Sequence, residues 1–365
     1  MMKHKIIISG GGTGGHIYPA ISIANAIREI NPDTEILFVG AEGRMEMEKV
    51  PAAGYDIIGL PVIGLQRKLS YKLFTFASKL IRSLVKSGKI IKSFSPDVVV
   101  GVGGYASGPL LRKATKKGIP CLIQEQNSFP GITNKMLAKS VQKICVAYHG
   151  MDKWFPKDKI VFTGNPVRQD ITKIKPKAKE AVDYFGLVAD KPVVLAVGGS
   201  QGARTINRAL AKDCEKFQAA GIQLLWQTGK YGVQLAKEAI TPGIKNVKSF
   251  EFIYKMDYAF SVADVVISRA GAGTISELCL VQKPSVLVPS PNVAEDHQYK
   301  NALALAEKNA AELVKDDEAE EILADVAIAL VKDDNKQHVF AENIKQFAKP
   351  QAANQIANEV LKLIK

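Results

Sequence analysis

What most constrains this chain is a recurring unit: a short apolar run, a cluster of glycines, then an amphipathic stretch. Lys5 to Ser9 runs into Gly10-Gly11-Gly12-Thr13-Gly14-Gly15, helical periodicity follows from His16 to Ile30, and Glu35 to Val39 is apolar again. A strand, a tight turn and a helix leading to a second strand is a βαβ unit, and such units build parallel sheets with helices on both faces. Asp97 to Gly101, Pro120 to Gln124 and Val141 to Ala147 extend the series. The pattern pauses at Gly164-Asn165-Pro166 and at the polar Lys173-Ile174-Lys175-Pro176-Lys177, then restarts. Val193 to Val197 is a strand, a glycine turn and a helix to about Ala219 follow, and further strands lie near Gln223 to Trp226, Val265 to Ile267 and Ser285 to Val288. The reading is two doubly wound α/β domains, 1–165 and 166–365. The tail from Glu318 to Lys365 reads as helices, free to pack back on the first domain. A length of 365 residues fits two domains at roughly 150 residues each.

Composition narrows the class. With 47% hydrophobic and 23% charged residues, the chain is neither disordered nor collagen-like. Cys121, Cys145, Cys214 and Cys279 are too far apart for a zinc or redox motif, and are expected to be reduced core thiols. No apolar run nears the roughly 18 residues of a spanning helix, and Ile6-Ile7-Ile8 is too short for a signal peptide, so a cytoplasmic, non-integral protein is expected. The net charge of +13 is uneven: residues 1–165 hold 23 Lys and Arg against 11 Asp and Glu, residues 166–365 hold 26 against 25. Gly64 to Ser95 has eight cations and no acid, with Leu73, Phe74, Phe76, Leu80, Ile81, Leu84 and Val85 among them at helical spacing. Two readings stand side by side: a core-facing helix with a solvated basic face, or a surface that lies on anionic lipid headgroups.

The first glycine cluster has the G-x-G-x-x-G pattern between strand and helix, which lets backbone N–H groups approach a diphosphate. A dinucleotide site would also need an acid at the end of the second strand; Glu42 comes two residues late, which counts against NAD. Gly101-Val102-Gly103-Gly104-Tyr105-Ala106-Ser107-Gly108-Pro109 and Gly198-Gly199-Ser200-Gln201-Gly202-Ala203 are further turns of this type. Each of the three has close strand-to-helix packing as an alternative explanation. Together they point to a cleft between domains that holds several phosphates. Ser268 to Glu277 is a fourth loop of small residues; Glu277, read as first-turn, either accepts two ribose hydroxyls or complements the helix dipole. Glu295 to Asn301 gathers acid, imidazole and amide groups at a helix start, suited to sugar hydroxyls.

The strings GGTGGHIYPA, GVGGYASGP, EQNSFPGITNK, GNPVR, GGSQGAR, SFEFI, SRAGAGTISE and DHQYKNA, in this order from about Ile6 to Ala302, resemble those of the MurG family of bacterial glycosyltransferases. The resemblance implies a GT-B fold, two Rossmann-like domains facing each other across a cleft. It implies UDP-N-acetylglucosamine as donor, held mainly by the C-terminal domain, and an undecaprenyl-diphosphate-linked N-acetylmuramoyl-pentapeptide as acceptor at the cytoplasmic membrane face. Carried over by motif, Thr13, Gly14, Gly15 and Asn127 face the donor, Arg168 and Ser200 contact phosphate, and Ile253 holds the uracil. Ala272, Gly273, Thr274, Ile275, Ser276 and Glu277 line sugar and ribose, and Gln298 meets GlcNAc hydroxyls. Some members have two glutamines where this chain has His297-Gln298, which leaves open which group reads each hydroxyl.

Inversion at an α-linked nucleotide sugar needs a base on the acceptor side. His16 is the candidate, its imidazole kept neutral beside a helix N-terminus; the alternative is that it caps the helix or binds a phosphate. No D-x-D triplet occurs, so no protein-bound metal and no cofactor are expected. A UDP-GlcNAc 2-epimerase-like enzyme is the competing reading within the fold. A basic nucleic-acid-binding protein is the competing reading outside it; aromatics are only 7% and no binding module appears.

Overall fold

The computed structural model describes residues 3–63, 72–168, 171, 175–199, 201–293 and 296–364, with only the backbone described at 72–75. They form two compact units, Met1–Arg168 with Pro350–Lys365, and Gln169–Lys349.

In the N-terminal unit the elements run β1 (Lys5–Ser9), α1 (Gly14–Ile30), β2 (Glu35–Ala41), α2 (Glu46–Ala52), β3 (Asp56–Leu60), α3 (Lys72–Phe94), β4 (Val98–Gly101), α4 (Ser107–Lys116), β5 (Cys121–Glu125), α5 (Ile132–Leu137), β6 (Lys143–Val146) and β7 (Ile160–Phe162). The sheet is parallel in the order β3-β2-β1-β4-β5-β6-β7, with Ile6 paired to Ile36 on one side and Val98 on the other. Ile6, Ile7 and Ile8 are fully buried because helices cover both faces. One face packs α1 and the last helix, whose Ala353, Ile356, Ala357 and Val360 join Ile17, Ile23 and Ile27. The other packs α4 together with Ile90 and Ile91 of α3.

The C-terminal unit repeats the plan: α6 (Lys179–Phe185), β8 (Val193–Val197), α7 (Arg204–Ala219), β9 (Gln223–Gln227), α8 (Val233–Ala239), β10 (Val247–Phe250), α9 (Met256–Val262), β11 (Val265–Ser268), α10 (Ala272–Val281), β12 (Ser285–Leu287), α11 (His297–Ala306), β13 (Glu312–Leu313), α12 (Ala319–Val331) and α13 (Asp334–Lys345). The final α14 (Ala352–Leu361) belongs to the first unit. The second sheet runs β10-β9-β8-β11-β12-β13, all parallel. The four strands that the apolar pattern did not mark, β3, β7, β10 and β13, are the four sheet edges. Edge strands are covered less completely, and Asp56, Lys248, Ser249 and Glu312 interrupt β3, β10 and β13, whereas β7 is apolar but only three residues long and half-buried.

All four cysteines are free and buried, as core thiols should be. Burial pushes Cys121, Cys145 and Cys279 up to about 12, which leaves them inert at neutral pH.

Candidate active site

In each sheet the strand order reverses once, between β1 and β4 and between β8 and β11. Crevices outside the carboxyl ends of the strands open at such reversals, and the loops that border them are the natural ligand loops. All four glycine-rich segments of the sequence fall there.

In the N-terminal unit the loops after β1 and β4 are packed against each other. Val102 N–H donates to the Ser9 carbonyl at 2.7 Å, and Ser107 Oγ donates to the carbonyls of Ser9 and Gly103 at 2.9 and 2.8 Å. Gly103 lies at φ +93°, and a Cβ there would come within 2.6 Å of His16 Cδ2; one on Gly104, at φ +87°, would overlap the Gly11 carbonyl. Only glycine allows this approach of loop to ring.

His16 sits in the first turn of α1. Its backbone N–H and that of Ile17 donate to the Thr13 carbonyl at 3.1 and 3.2 Å. Its Nδ1 lies 3.2 Å from the Gly11 carbonyl and 3.3 Å from Thr13 Oγ1. A carbonyl can only accept, so Nδ1 carries the proton and Nε2, beside Gly103, carries the lone pair. Desolvation holds the imidazole below its ordinary 6.5, against the opposing pull of the Glu125 carboxylate, the Gly11 carbonyl and Glu46. The ring is therefore neutral at pH 7, for a reason different from the expected helix N-terminus: burial is the leading cause.

The Glu125-Gln126-Asn127 segment leaves β5 on a carboxylate that the sequence did not single out. Glu125 is 2% exposed. It accepts from Asn127 N at 3.0 Å, Asn127 Nδ2 at 3.3 Å, Gly131 N at 3.0 Å and Asn134 Nδ2 at 2.9 Å. Asn127 is thus fixed through its nitrogens, which turns its amide oxygen into the group it can offer. Gln126 Nε2 donates to the Val102 carbonyl at 2.9 Å, while Gln124 Nε2 donates to Asn165 Oδ1 at 3.1 Å. These buried amides join the second glycine loop to Gly164-Asn165-Pro166. Arg168, close after it, lies 5.4 Å from the centre of the Tyr18 ring.

In the C-terminal unit the loop after β8 enters α7 through Ala203, which has no side-chain group to cap the helix. Ser200 lies outside the described residues. Arg269, at the end of β11, donates to the carbonyls of Val288 and Pro289 at 3.1 and 3.3 Å and pairs with Asp316, which also accepts from Thr205 Oγ1 at 2.9 Å. One ion pair thereby ties the start of α7 to the segments that follow β11, β12 and β13. The motif reading missed it because Asp316 is 47 residues from Arg269. Glu277 requires a correction: α10 begins at Ala272, which puts Glu277 in the second turn, and no acid occupies the first. The dipole alternative for Glu277 loses its basis accordingly. Gly273, Thr274, Ser276 and Glu277 are half-buried, whereas Ala272 and Ile275 are buried. Ile253 is buried, and its N–H donates to Gln227 Oε1 at 2.9 Å. Gln298, in the first turn of α11, accepts the Ser290 N–H at 2.9 Å through its oxygen, so its Nε2 is the group turned to other work.

The basic helix α3 is inverted relative to an ordinary amphipathic helix over its described middle turns. Ser83 and Ser87 are fully buried, whereas Ile81 and Val85 are 62% and 54% exposed. Lys86 is paired with Glu42 at 2.8 Å. Residues 64–71 and the side chains of Lys72, Leu73 and Phe74 lie outside what is described.

Residues 6–146 match the glycosyltransferase family 28 N-terminal domain, and residues 193–356 match its C-terminal domain. The chain is 57% identical to a protein of Bacteroides thetaiotaomicron over 98% of this chain and 97% of that one. It is 54% identical to one of Parabacteroides distasonis over 100% and 99%. Both are named UDP-N-acetylglucosamine--N-acetylmuramyl-(pentapeptide) pyrophosphoryl-undecaprenol N-acetylglucosamine transferase. The chain belongs to the MurG family of glycosyltransferases. The crystal structure of Acinetobacter baumannii MurG, 26% identical, superposes with a TM-score of 0.74 over 99% of this chain and 100% of that one. Two parallel α/β units with these domain matches are the GT-B fold that the motifs implied. A Neisseria meningitidis UDP-GlcNAc 2-epimerase bound to UDP-GlcNAc, with a TM-score of 0.69 at 14% identity, shares the fold alone.

Proposed function

We propose that this MurG-family chain transfers N-acetylglucosamine from UDP-N-acetylglucosamine to the 4-hydroxyl of undecaprenyl-diphospho-N-acetylmuramoyl-pentapeptide, with inversion to a β-1,4 linkage and release of UDP. The observation that carries the proposal is identity of 54 to 57% across essentially the whole chain to enzymes named for that reaction.

The C-terminal unit takes the donor. Glu277 accepts the ribose hydroxyls, the Ile253 carbonyl meets the uracil because its N–H is engaged, and Gln298 Nε2 donates to a GlcNAc hydroxyl. Ala272 to Ser276 lie along the sugar and ribose; Thr13, Gly14, Gly15 and Asn127 also contact the donor. Arg168 and Ser200 stabilise the diphosphate as negative charge develops on the leaving UDP. The acceptor 4-hydroxyl attacks the anomeric carbon from the face opposite the diphosphate. His16 Nε2 takes its proton, the C1–O4 bond forms, and the bond from C1 to the diphosphate oxygen breaks with its electron pair leaving on UDP.

The exposed Ile81 and Val85 among the lysines of α3 support peripheral docking on an anionic membrane, at its cytoplasmic face, where the polyprenyl acceptor is anchored. Among the described residues no helix is long and apolar enough to cross a membrane. UDP release from UDP-GlcNAc is the test: it should require the lipid-diphosphate acceptor. Steady release without acceptor, with an epimerised sugar as product, would replace this proposal with the epimerase reading.

A further inference from the structure

Glu46 opens α2, a seven-residue helix, and nothing in its local sequence marks it. Its side chain is 0% exposed and turned back beneath the first glycine loop. Both carboxylate oxygens face the Gly12 N–H, at 3.1 and 3.0 Å, and Oε1 also accepts the Ala41 N–H at 2.9 Å. The space for it is made by glycine: a Cβ on Gly40 would lie 2.6 Å from Glu46 Cγ, and one on Gly11 would overlap the carboxylate itself.

A glycine loop that follows the first strand ordinarily turns its N–H groups toward a bound phosphate. Here the protein supplies the anion from within, and the Gly12 N–H is no longer available to a ligand. Gly11 lies between the two groups of interest. One side of it packs on Glu46, and its carbonyl holds His16 Nδ1 at 3.2 Å. We infer that Glu46 is a positioning residue, an internal anion that fixes the first glycine loop so that the Gly11 carbonyl keeps the proton on His16 Nδ1 and the lone pair on Nε2. For turnover, the inference rests on the reading of His16 as the base.

Oε1 takes both N–H donors and Oε2 shares that of Gly12, so both oxygen positions must be acceptors. In Glu46→Gln the volume is kept, but the amide NH2 must face one of those donors, and one interaction becomes a repulsion. The loop then relaxes while the core stays filled.

The experiment uses the full chain with 15N-labelled histidine, each variant checked for a cooperative melt. In the wild type at pH 8 the His16 signals should be those of the Nδ1–H tautomer; in Glu46→Gln they should move toward a mixture of tautomers. Turnover should fall roughly tenfold or more, as for a misplaced catalytic group, with the KM for UDP-GlcNAc within about twofold. In Glu46→Ala, added formate should restore part of the lost turnover by refilling the anion site. Wild-type tautomer signals in Glu46→Gln would overturn the inference, as would a formate-insensitive loss of turnover matched by an equal loss of donor binding. A shifted tautomer in Glu46→Gln together with full turnover in His16→Ala would leave the positioning role intact and refute the assignment of the base.

Discussion

Replacing Leu80, Ile81 and Val85 together with serine tests what the outer face of α3 does. These side chains are 37%, 62% and 54% exposed, so their covered parts also amount to about one and a half side chains, and the triple change should cost the fold roughly 2 to 4.5 kcal/mol, which a thermal melt checks. Their contribution to docking is of similar size. Taking one such side chain fully out of water contributes roughly 1.5 to 3 kcal/mol, and the three exposed fractions amount to about one and a half side chains, or roughly 2 to 4.5 kcal/mol. At about 1.4 kcal/mol per decade, partition onto vesicles should fall roughly 30- to 1,600-fold. Sedimentation with anionic vesicles measures this directly, while turnover on a short-chain soluble acceptor should be unchanged. Arg82, Lys89 and Lys92 are exposed and contribute about 1 kcal/mol each near the surface, so wild-type binding should also weaken as salt rises. Lys86 is unsuitable for charge reversal, since its ion pair with Glu42 would be lost too. Wild-type partition by the triple variant, or salt-insensitive binding by the wild type, would refute the reasoning and move the docking surface elsewhere.

Glu277→Ala should weaken UDP-GlcNAc about 10- to 100-fold by removing two ribose hydrogen bonds worth roughly 1.5 to 3 kcal/mol; isothermal titration of the folded variant would show it, and unchanged affinity would sink the assignment. Because burial lowers the His16 pKa, the acid limb of kcat/KM should lie below pH 6.5; activity and the His16 share of stability are complete above 6.5 and decline as pH falls toward the lowered value, and His16→Ala should cut turnover about 10²- to 10⁴-fold, abolish that limb and leave donor binding intact. Asp316→Ala strands Arg269, whose side chain is only 17% exposed, and should cost about 1 to 3 kcal/mol with a lower Tm and weaker UDP binding; a Tm equal to wild type would mean the pair is mere surface decoration.

What the sequence disclosed follows from what parallel sheets demand of it. Inner strands are covered on both faces, so Lys5–Ser9 and Val193–Val197 stand out as apolar runs and their ends were read to the residue. The edges β3, β10 and β13 lack that signature for the same reason, and β7, apolar but three residues long, is too short to show it. Glycine clusters mark all four loops at the strand-order reversals; close approach requires glycine at Gly11, Gly103, Gly104, Gly198 and Gly202, whereas Gly271 and Gly273 of the fourth loop have open space around them. Glu46, Glu125 and Asp316 were illegible: each acts by folding a carboxylate onto backbone or guanidinium groups brought near by the fold, and no local spacing encodes that. Glu42 directly follows β2 in the sequence, yet its carboxylate pairs with Lys86 on the surface. The inverted face of α3 was legible only as composition; which residues face outward depended on Ser83 and Ser87 taking the buried side.

Two units of one topology differ in the charge their glycine loops present. In the N-terminal unit the loop after β1 is closed from beneath by Glu46, so its backbone is spent on the protein's own anion, and what it offers is the Nε2 lone pair of a neutral His16. In the C-terminal unit the loop after β8 runs into α7 past an alanine that cannot cap it, and Arg269 is neutralised by Asp316. At this loop the first-turn N–H groups of α7, equivalent to roughly half a charge at a helix N-terminus, are the proposed complement to the diphosphate beside Arg168 and Ser200. Oriented backbone dipoles add no net charge, and residues 166–365 hold 26 cations against 25 acids. The excess cations lie in residues 1–165, 23 against 11, and those on α3 lie beside the exposed Ile81 and Val85, the surface proposed to dock on an anionic bilayer.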